Sequence, residues 1–195
     1  THLLKILRAG LHGEEVPSPP LAADPTLPDN ATDYVGTYRA GQQTLILTSQ
    51  SGRLLLKYGE QDIAIESRGN DSFHVGHPDL EHFLLEFGRS GGKVVEVSHG
   101  PDWYVADGYP GPRSFGYPKE WERYPGHYRA YNPGLSNFRI VLRKDGLLLI
   151  SPTGGKESLV PVDDSLFRIG EDQRSPETLR FDAVVGGHAL RAVYS

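Results

Sequence analysis

Hydrophobic and polar residues alternate along most of the chain from Tyr34 onward. The segment FRIVLR (138–143) puts Phe138, Ile140 and Leu142 on one face of an extended chain, opposite two arginines. The segments TLRFDA (178–183) and FLLEF (83–87) alternate in the same way. A period of two predicts antiparallel strands with one buried face. Gly, Asp and Asn between these runs predict hairpin turns, and no helix is expected after Tyr34.

The first 33 residues follow a different pattern. Residues 1–15 predict one amphipathic helix, because five apolar residues recur at helical spacing: Leu3, Leu4, Ile6, Leu7 and Leu11. Residues 16–33 are rich in proline and predict an extended linker. We expect the helix to belong to an upstream domain, with the chain as a piece of a longer protein, since the sequence opens on Thr1 and contains no methionine.

Two halves of the remaining chain resemble each other. The phrase YVGTYR (34–39) returns as YPGHYR (124–129), and three further blocks recur in the same order. We interpret the phrase as the first strand of a unit built twice, and its shared residues as structural: Tyr34, Gly36, Tyr38, Tyr124, Gly126 and Tyr128. The tyrosine rings would cover one end of a barrel, and the glycines would permit close packing. A ligand site used twice is the alternative.

Each half contains seven or eight strand-like runs, which suggests a small barrel that removes its own sheet edges. The sequence therefore predicts an all-β protein, with two tandem antiparallel up-and-down barrels after the helix and the Pro-rich linker. The first barrel would span 34–107 and the second 124–195. Residues 108–123 would form an aromatic connector.

Charge and composition exclude several classes of protein. The net charge of −5, with scattered Lys and Arg, argues against a nucleic-acid partner. The absence of cysteine excludes disulfides and thiolate zinc sites. No apolar run is long enough to span a bilayer, and no cofactor is predicted. The compartment stays open, because any export signal of a bacterial, extracytoplasmic protein would lie upstream of Thr1.

The order of segments resembles a known family. HLLKILRAGLHGE, the Pro-rich linker, NATDYVGTYR and the later EWERYPGHYR (120–129) are similar to the C-terminal end of bacterial serine hydrolases related to class C β-lactamases and penicillin-binding proteins. In that family the helix closes the catalytic domain and a lipocalin-like accessory barrel follows. The resemblance implies an upstream serine-hydrolase domain as partner. Its catalytic elements are Ser-x-x-Lys, Tyr-x-Asn and Lys-Thr-Gly or His-x-Gly.

The chain does not carry that machinery in a usable form. SGGK (90–93) matches Ser-x-x-Lys by letters, but a Gly-Gly hairpin cannot stack Ser90 under Lys93 as a helical turn does. HVG (74–76) matches His-x-Gly, and Tyr-x-Asn is absent. We predict no catalytic residue in this chain.

Two other clusters could bind something. HVGHPDLEH (74–82) offers His77, Asp79 and His82 as adventitious metal ligands, although a polar hairpin end is the preferred interpretation. Around the connector, six aromatic residues exceed what a narrow barrel can bury: Trp103, Tyr104, Tyr109, Phe115, Tyr117 and Trp121. They would either join the two barrels or dock on the upstream domain.

Three functions compete on this basis. The leading hypothesis is a non-catalytic accessory region of a β-lactamase-related serine hydrolase that shapes or covers the active site or mediates self-association as a homo-oligomer. The alternative is a lipocalin-like module that binds a small apolar ligand, although a barrel of about 80 residues leaves little interior space. An enzyme in its own right is the third, and no spacing proposes its nucleophile and base.

Overall fold

The computed structural model describes residues 2–18, 23–131, 137–144 and 146–195. Helix α1 (His2–His12) is followed by two β-barrels. The first barrel is built from β1 (Gly36–Ala40), β2 (Gln43–Gln50), β3 (Arg53–Tyr58), β4 (Gln61–Gly69), β5 (Ser72–Val75), β6 (Leu85–Ser90), β7 (Lys93–His99) and β8 (Asp102–Ala106). The second is built from β9 (Gly126–Arg129), β10 (Asn137–Arg143), β11 (Gly146–Ile150), β12 (Lys156–Pro161), β13 (Leu166–Ile169), β14 (Thr178–Val185) and β15 (His188–Tyr194). The predicted fold class is confirmed.

The first barrel closes completely. Each strand pairs antiparallel with its neighbour in sequence, and β8 returns to pair with β1 through Tyr38–Ala106 and Arg39–Val105. The alternating apolar residues point inward, as the pattern predicts, and residues such as Leu54, Ile65 and Val97 are fully buried. The closed sheet leaves no free strand edge on this barrel.

The second barrel is nearly closed. Its seven strands follow the order β15-β14-β13-β12-β11-β10-β9, so β15 and β9 form the two edges of the sheet. The Tyr128 hydroxyl on β9 lies 3.2 Å from the Ala189 carbonyl oxygen on β15 and donates a hydrogen bond across this seam. In the first barrel β8 occupies the corresponding position. A side-chain hydrogen bond from Tyr128 therefore bridges the gap in the second barrel that strand β8 fills in the first.

The two repeated tyrosine phrases adopt the same geometry. The Tyr38 hydroxyl donates to the Tyr34 carbonyl oxygen at 2.9 Å, and the Tyr128 hydroxyl donates to the Tyr124 carbonyl oxygen at 2.8 Å. All four rings lie in the barrel cores. A Cβ on Gly126 would stand 3.3 Å from the Tyr128 ring, so the glycine lets the ring fold back over the strand. This arrangement supports the structural interpretation of the phrase, and the internal duplication itself stays a prediction.

The expectation that only strands follow Tyr34 is wrong in detail. Two short 3-10 helices, Ala31–Tyr34 and Lys119–Arg123, precede the first strands of the two barrels. Tyr34 therefore ends a helical turn and does not begin a strand. The Tyr34 ring is buried in the core of the first barrel, where it meets Phe73 edge to face with ring centroids 4.8 Å apart.

A charged network holds the turn before β1 against the first barrel. Arg89 on β6 donates to Asp71 at 3.0 Å and to Asp33 at 3.0 Å. The Tyr34 hydroxyl donates to Asp71 at 2.5 Å. Hydrogen bonds from Arg89 lower the pKa of Asp71, and the bond from Tyr34 lowers it further. Asp71 lies in the β4–β5 turn with φ of 55°, a conformation that Asp and Asn tolerate better than most residues.

Helix α1 lies outside both barrels. Two residues of the linker contact the first barrel: the Ser67 amide donates to the Pro25 carbonyl oxygen at 2.7 Å, and Arg53 lies 3.6 Å from Asp24. The leucines of α1 remain largely exposed. Within the described ranges, no helix combines the length and apolar character that a membrane span requires.

Candidate functional site

The candidate site lies between the two barrels. A cleft of about 840 Å³ separates the β4–β6 side of the first barrel from the β9–β12 side of the second. A smaller cleft of about 430 Å³ lies beside it. Glu86, Arg143 and Lys156 line both clefts, so this charged group divides one from the other.

The outward face of β10 builds one wall of the site. Phe138, Ile140 and Leu142 point into the second barrel as the alternation predicts. The opposite face carries Arg139, Val141 and Arg143, and it is not a solvated surface, because Val141 is only 4% exposed and Arg143 only 6%. An apolar valine between the two arginines was the one signal in the sequence that this face would also be covered.

Arg143 is anchored by the first barrel. Its Nε donates to the Gly100 carbonyl oxygen at 2.6 Å, and its Nη1 forms an ion pair with Glu86. Lys156 Nζ lies 2.7 Å from the other oxygen of Glu86. Burial works to raise the pKa of the Glu86 carboxyl, but hydrogen bonds from Lys156 and Arg143 outweigh burial and leave this pKa below its ordinary value. Glu86 is therefore a charged junction between the barrels at neutral pH.

A second ion pair joins the barrels beside the smaller cleft. Lys144 Nζ lies 2.6 Å from Glu96 Oε1, and the Trp103 indole N–H donates to Glu96 Oε2 at 2.8 Å. Lys144 also lies 5.6 Å over the Trp103 ring. Gly88 makes room for the carboxylate, because a Cβ there would approach Glu96 Oε1 to 2.3 Å.

The wall of the larger cleft on the second barrel carries a row of polar side chains. His127 and Arg139 are directly opposite each other in the β9–β10 pair, as are Arg129 and Asn137. Directly opposite residues share a face of the sheet, so these four side chains form one cluster. The Arg139 guanidinium lies 5.3 Å from the centre of the Phe83 ring, which extends from the first barrel.

The six predicted aromatic residues do not act as one group. Trp103, Phe115 and Tyr117 form a chain of ring contacts at 5.8 Å and 5.6 Å. Trp103, on β8 of the first barrel, also lies next to Lys144 of the second barrel, whereas the two connector residues contact only each other and Trp103 within this group. Whether these residues join the barrels or dock on an upstream domain stays a prediction. Tyr109 instead covers Gly111, where a Cβ would stand 2.2 Å from the tyrosine ring.

The other two aromatic residues belong to the barrel cores. Tyr104 is buried in the first barrel, and its hydroxyl donates to Gln43 at 2.7 Å. Burial raises the pKa of Tyr104 to about 12. Trp121 packs against the second core, 6.0 Å from Phe167. Sequence position grouped these residues with the connector, whereas the fold assigns them to opposite barrels.

Two of the three candidate metal ligands take part in hydrogen bonds. His77 Nδ1 accepts a hydrogen bond from the Asp79 backbone N–H at 3.2 Å, and the Asp79 carboxylate accepts one from the Tyr58 hydroxyl at 2.9 Å. His82 lines the larger cleft. In the part of the chain that the structure covers, three or more His, Cys, Asp or Glu residues nowhere gather into a metal-binding group.

Ser90 and Lys93 lie where the hairpin interpretation places them. They face each other across the end of the β6–β7 hairpin, and both are exposed. The turn glycines Gly91 and Gly92 have φ of 56° and 81°. In the larger cleft, the Ser151 hydroxyl lies 3.0 Å from the Thr153 hydroxyl, a contact between two hydroxyls and not between a nucleophile and a base.

Comparison of the chain with models of known protein families, with curated proteins and with solved structures finds no match. The resemblance to β-lactamase-related serine hydrolases therefore stays a prediction.

Proposed function

We propose that this chain is a non-catalytic accessory region of a β-lactamase-related serine hydrolase, which docks through helix α1 on an upstream catalytic domain. In that position it shapes or covers the entrance of the active site or mediates self-association. One observation carries the proposal. The leucine face of α1 is uncovered, with exposed fractions from 55% to 84% for Leu3, Leu4, Leu7 and Leu11.

This exposure is costly for an isolated helix. A helix of 11 residues is marginal in water on its own and depends on tertiary packing of its apolar face. Burying one leucine side chain contributes about 1.5–3 kcal/mol. A surface that covers all four leucines would therefore stabilise the helix by several times the thermal energy. A neighbouring domain of the same polypeptide is the occupant that the family resemblance implies.

The packing of aromatic side chains in both barrel interiors supports a structural role more than binding of a ligand inside a barrel. Tyr34, Phe73 and Phe87 form mutual edge contacts in the first barrel. In the second barrel Phe167 meets Tyr124 and Phe181 edge to face, and Tyr124 stacks on Phe181. The apolar-ligand alternative needs space inside such a barrel. The two clefts described above lie between the barrels and not inside either of them.

The first experiment measures hydrolysis of nitrocefin and of p-nitrophenyl esters by the 195-residue chain. We expect no turnover, and a rate that disappears in Ser90→Ala would overturn the proposal. The second compares the full-length hydrolase with a form truncated near residue 33. Unchanged kinetics together with an unchanged oligomeric state would contradict an accessory role.

A helix variant tests the docking surface directly. In the full-length hydrolase, Leu4→Glu combined with Leu7→Glu should reproduce the truncation, because two carboxylates cannot be buried against an apolar surface without a large desolvation cost. The matched control reverses charges on the polar side of the same helix, with Lys5→Glu and Arg8→Glu. Equal effects of the two double variants would argue against docking through the leucines.

A further inference from the structure

The larger inter-barrel cleft has the size of a ligand site. Its volume of about 840 Å³ falls within the range of about 300–1,000 Å³ that small-molecule sites occupy. Phe83 and Leu84 of the first barrel and Ile150 and Pro152 of the second supply apolar lining. The cleft is therefore suited to a small molecule with a partly apolar body.

The charge of the cleft is opposite to that of the protein. The chain carries a net charge of −5, yet the described lining residues include five cationic side chains and only two carboxylates. The cations are Arg68, Arg129, Arg139, Arg143 and Lys156, and the carboxylates are Glu81 and Glu86. A concave site with an excess of one sign of charge attracts ligands of the opposite sign.

Contacts with the first barrel hold three of these cations in place and leave part of their charge uncompensated, whereas Arg68 is paired with Glu66 at 2.7 Å. The single carboxylate of Glu86 is shared by Arg143 and Lys156, so a positive charge remains at that junction. The contact of Arg139 with Phe83 uses the flat face of the guanidinium and consumes none of its five N–H donors. His127 and Asn137 are opposite Arg139 and Arg129 on the same face, and the His127 Nε2 and Asn137 Oδ1 atoms form a hydrogen bond with each other. The Asn137 amide NH2 group is the further donor beside the two arginines.

We propose that the inter-barrel cleft binds a small anion that carries two or more carboxylate or phosphate charges. Guanidinium groups bind both kinds of anion through paired N–H donors, which is why several arginines on one wall favour such a ligand. The hydroxyls of Ser151 and Thr153, on the β11–β12 turn at the same cleft, add neutral donors. The lining residues of this site all lie outside helix α1.

Isothermal titration calorimetry of the whole chain tests the proposal, with pyrophosphate and citrate as probes in separate titrations. We expect saturable binding of at least one probe, weakened but not abolished when the salt concentration is raised from 50 to 500 mM. Tighter binding of pyrophosphate would identify a phosphoryl ligand, and tighter binding of citrate a carboxylate ligand. Failure of both probes to saturate at millimolar concentration would overturn the proposal.

Matched variants locate the bound anion. Arg129→Gln combined with Arg139→Gln should weaken binding by about tenfold or more, because each removes a charge-assisted contact. The control is Arg174→Gln, which makes the same arginine-to-glutamine change at a distant position. The Arg174 side chain is 91% exposed, pairs with Asp172 and is not among the lining residues of the cleft.

Circular dichroism checks that each variant is folded. If the double variant unfolds, Arg129→Gln alone serves, since this side chain is exposed. Equal affinity of the arginine variants and Arg174→Gln would show that the anion binds elsewhere, and the proposal would fall.

Discussion

Replacing Glu86 with glutamine should strongly destabilise the contact between the two barrels. The change keeps the shape of the side chain but removes the charge that Arg143 and Lys156 share. Arg143 is only 6% exposed, so its guanidinium would keep its bond to Gly100 and lose its buried counter-ion. Removing one partner of a buried ion pair typically costs about 3–5 kcal/mol.

The expected cost of Glu86→Gln lies near the lower end of that range, about 3 kcal/mol. Lys156 is 43% exposed, and water can solvate its ammonium group when the carboxylate is lost. The assay is urea unfolding at pH 7, followed by tryptophan fluorescence, with the free energy of unfolding extrapolated to water. Trp103 donates a hydrogen bond to Glu96, which pairs with Lys144 of the second barrel, so its fluorescence reports on the contact between the barrels.

Two further variants separate the buried pair from ordinary surface electrostatics. Asp182→Asn breaks the exposed pair with Arg191 inside one hairpin, where little effect is expected because water screens the charges. Glu86→Leu combined with Arg143→Met removes both buried charges and should recover most of the lost stability, since no uncompensated ion remains. If Glu86→Gln costs no more than Asp182→Asn, the reasoning is refuted.

Three other predictions follow from single contacts. Gly100→Ala should destabilise the protein more than Gly186→Ala, by about 1–3 kcal/mol. Both glycines have φ near +57°, but only a Cβ at position 100 would meet a neighbour, the Phe83 ring at 2.7 Å. Equal effects of the two variants in thermal unfolding would contradict the steric account. Tyr128→Phe should cost about 1–3 kcal/mol, because it leaves buried backbone carbonyls unpaired; an unchanged unfolding midpoint would exclude this role at the seam. Because the pKa of Glu86 is lowered in the folded protein, its carboxylate stabilises the fold at pH values above the ordinary pKa of about 4.3. This stabilisation is lost as the pH falls through the lower pKa of the folded state. Glu86→Gln should therefore lose less stability than the parent chain between pH 7 and pH 3.

Local sequence patterns accounted for the strands and most of their turns. Alternation identified Phe138, Ile140 and Leu142 as inward-facing, and the Gly-Gly pairs at 91–92 and 186–187 marked hairpins whose glycines all have positive φ. Both signals operate over a few residues, because side-chain direction follows from strand geometry and left-handed φ follows from the missing Cβ. Such features need no knowledge of the rest of the chain.

The site between the barrels could not be obtained in that way. Arg143 is in contact with Glu86, 57 positions earlier, and Phe83 lies under Arg139 only because the second barrel docks against the first. Alternation shows which face of a strand fills its own barrel, but it does not show what covers the other face. The sequence alone predicted the two barrels and their cores. The tertiary structure decided that the second face of β10 would be covered at Val141 and Arg143, since that burial depends on contacts between residues far apart in the chain.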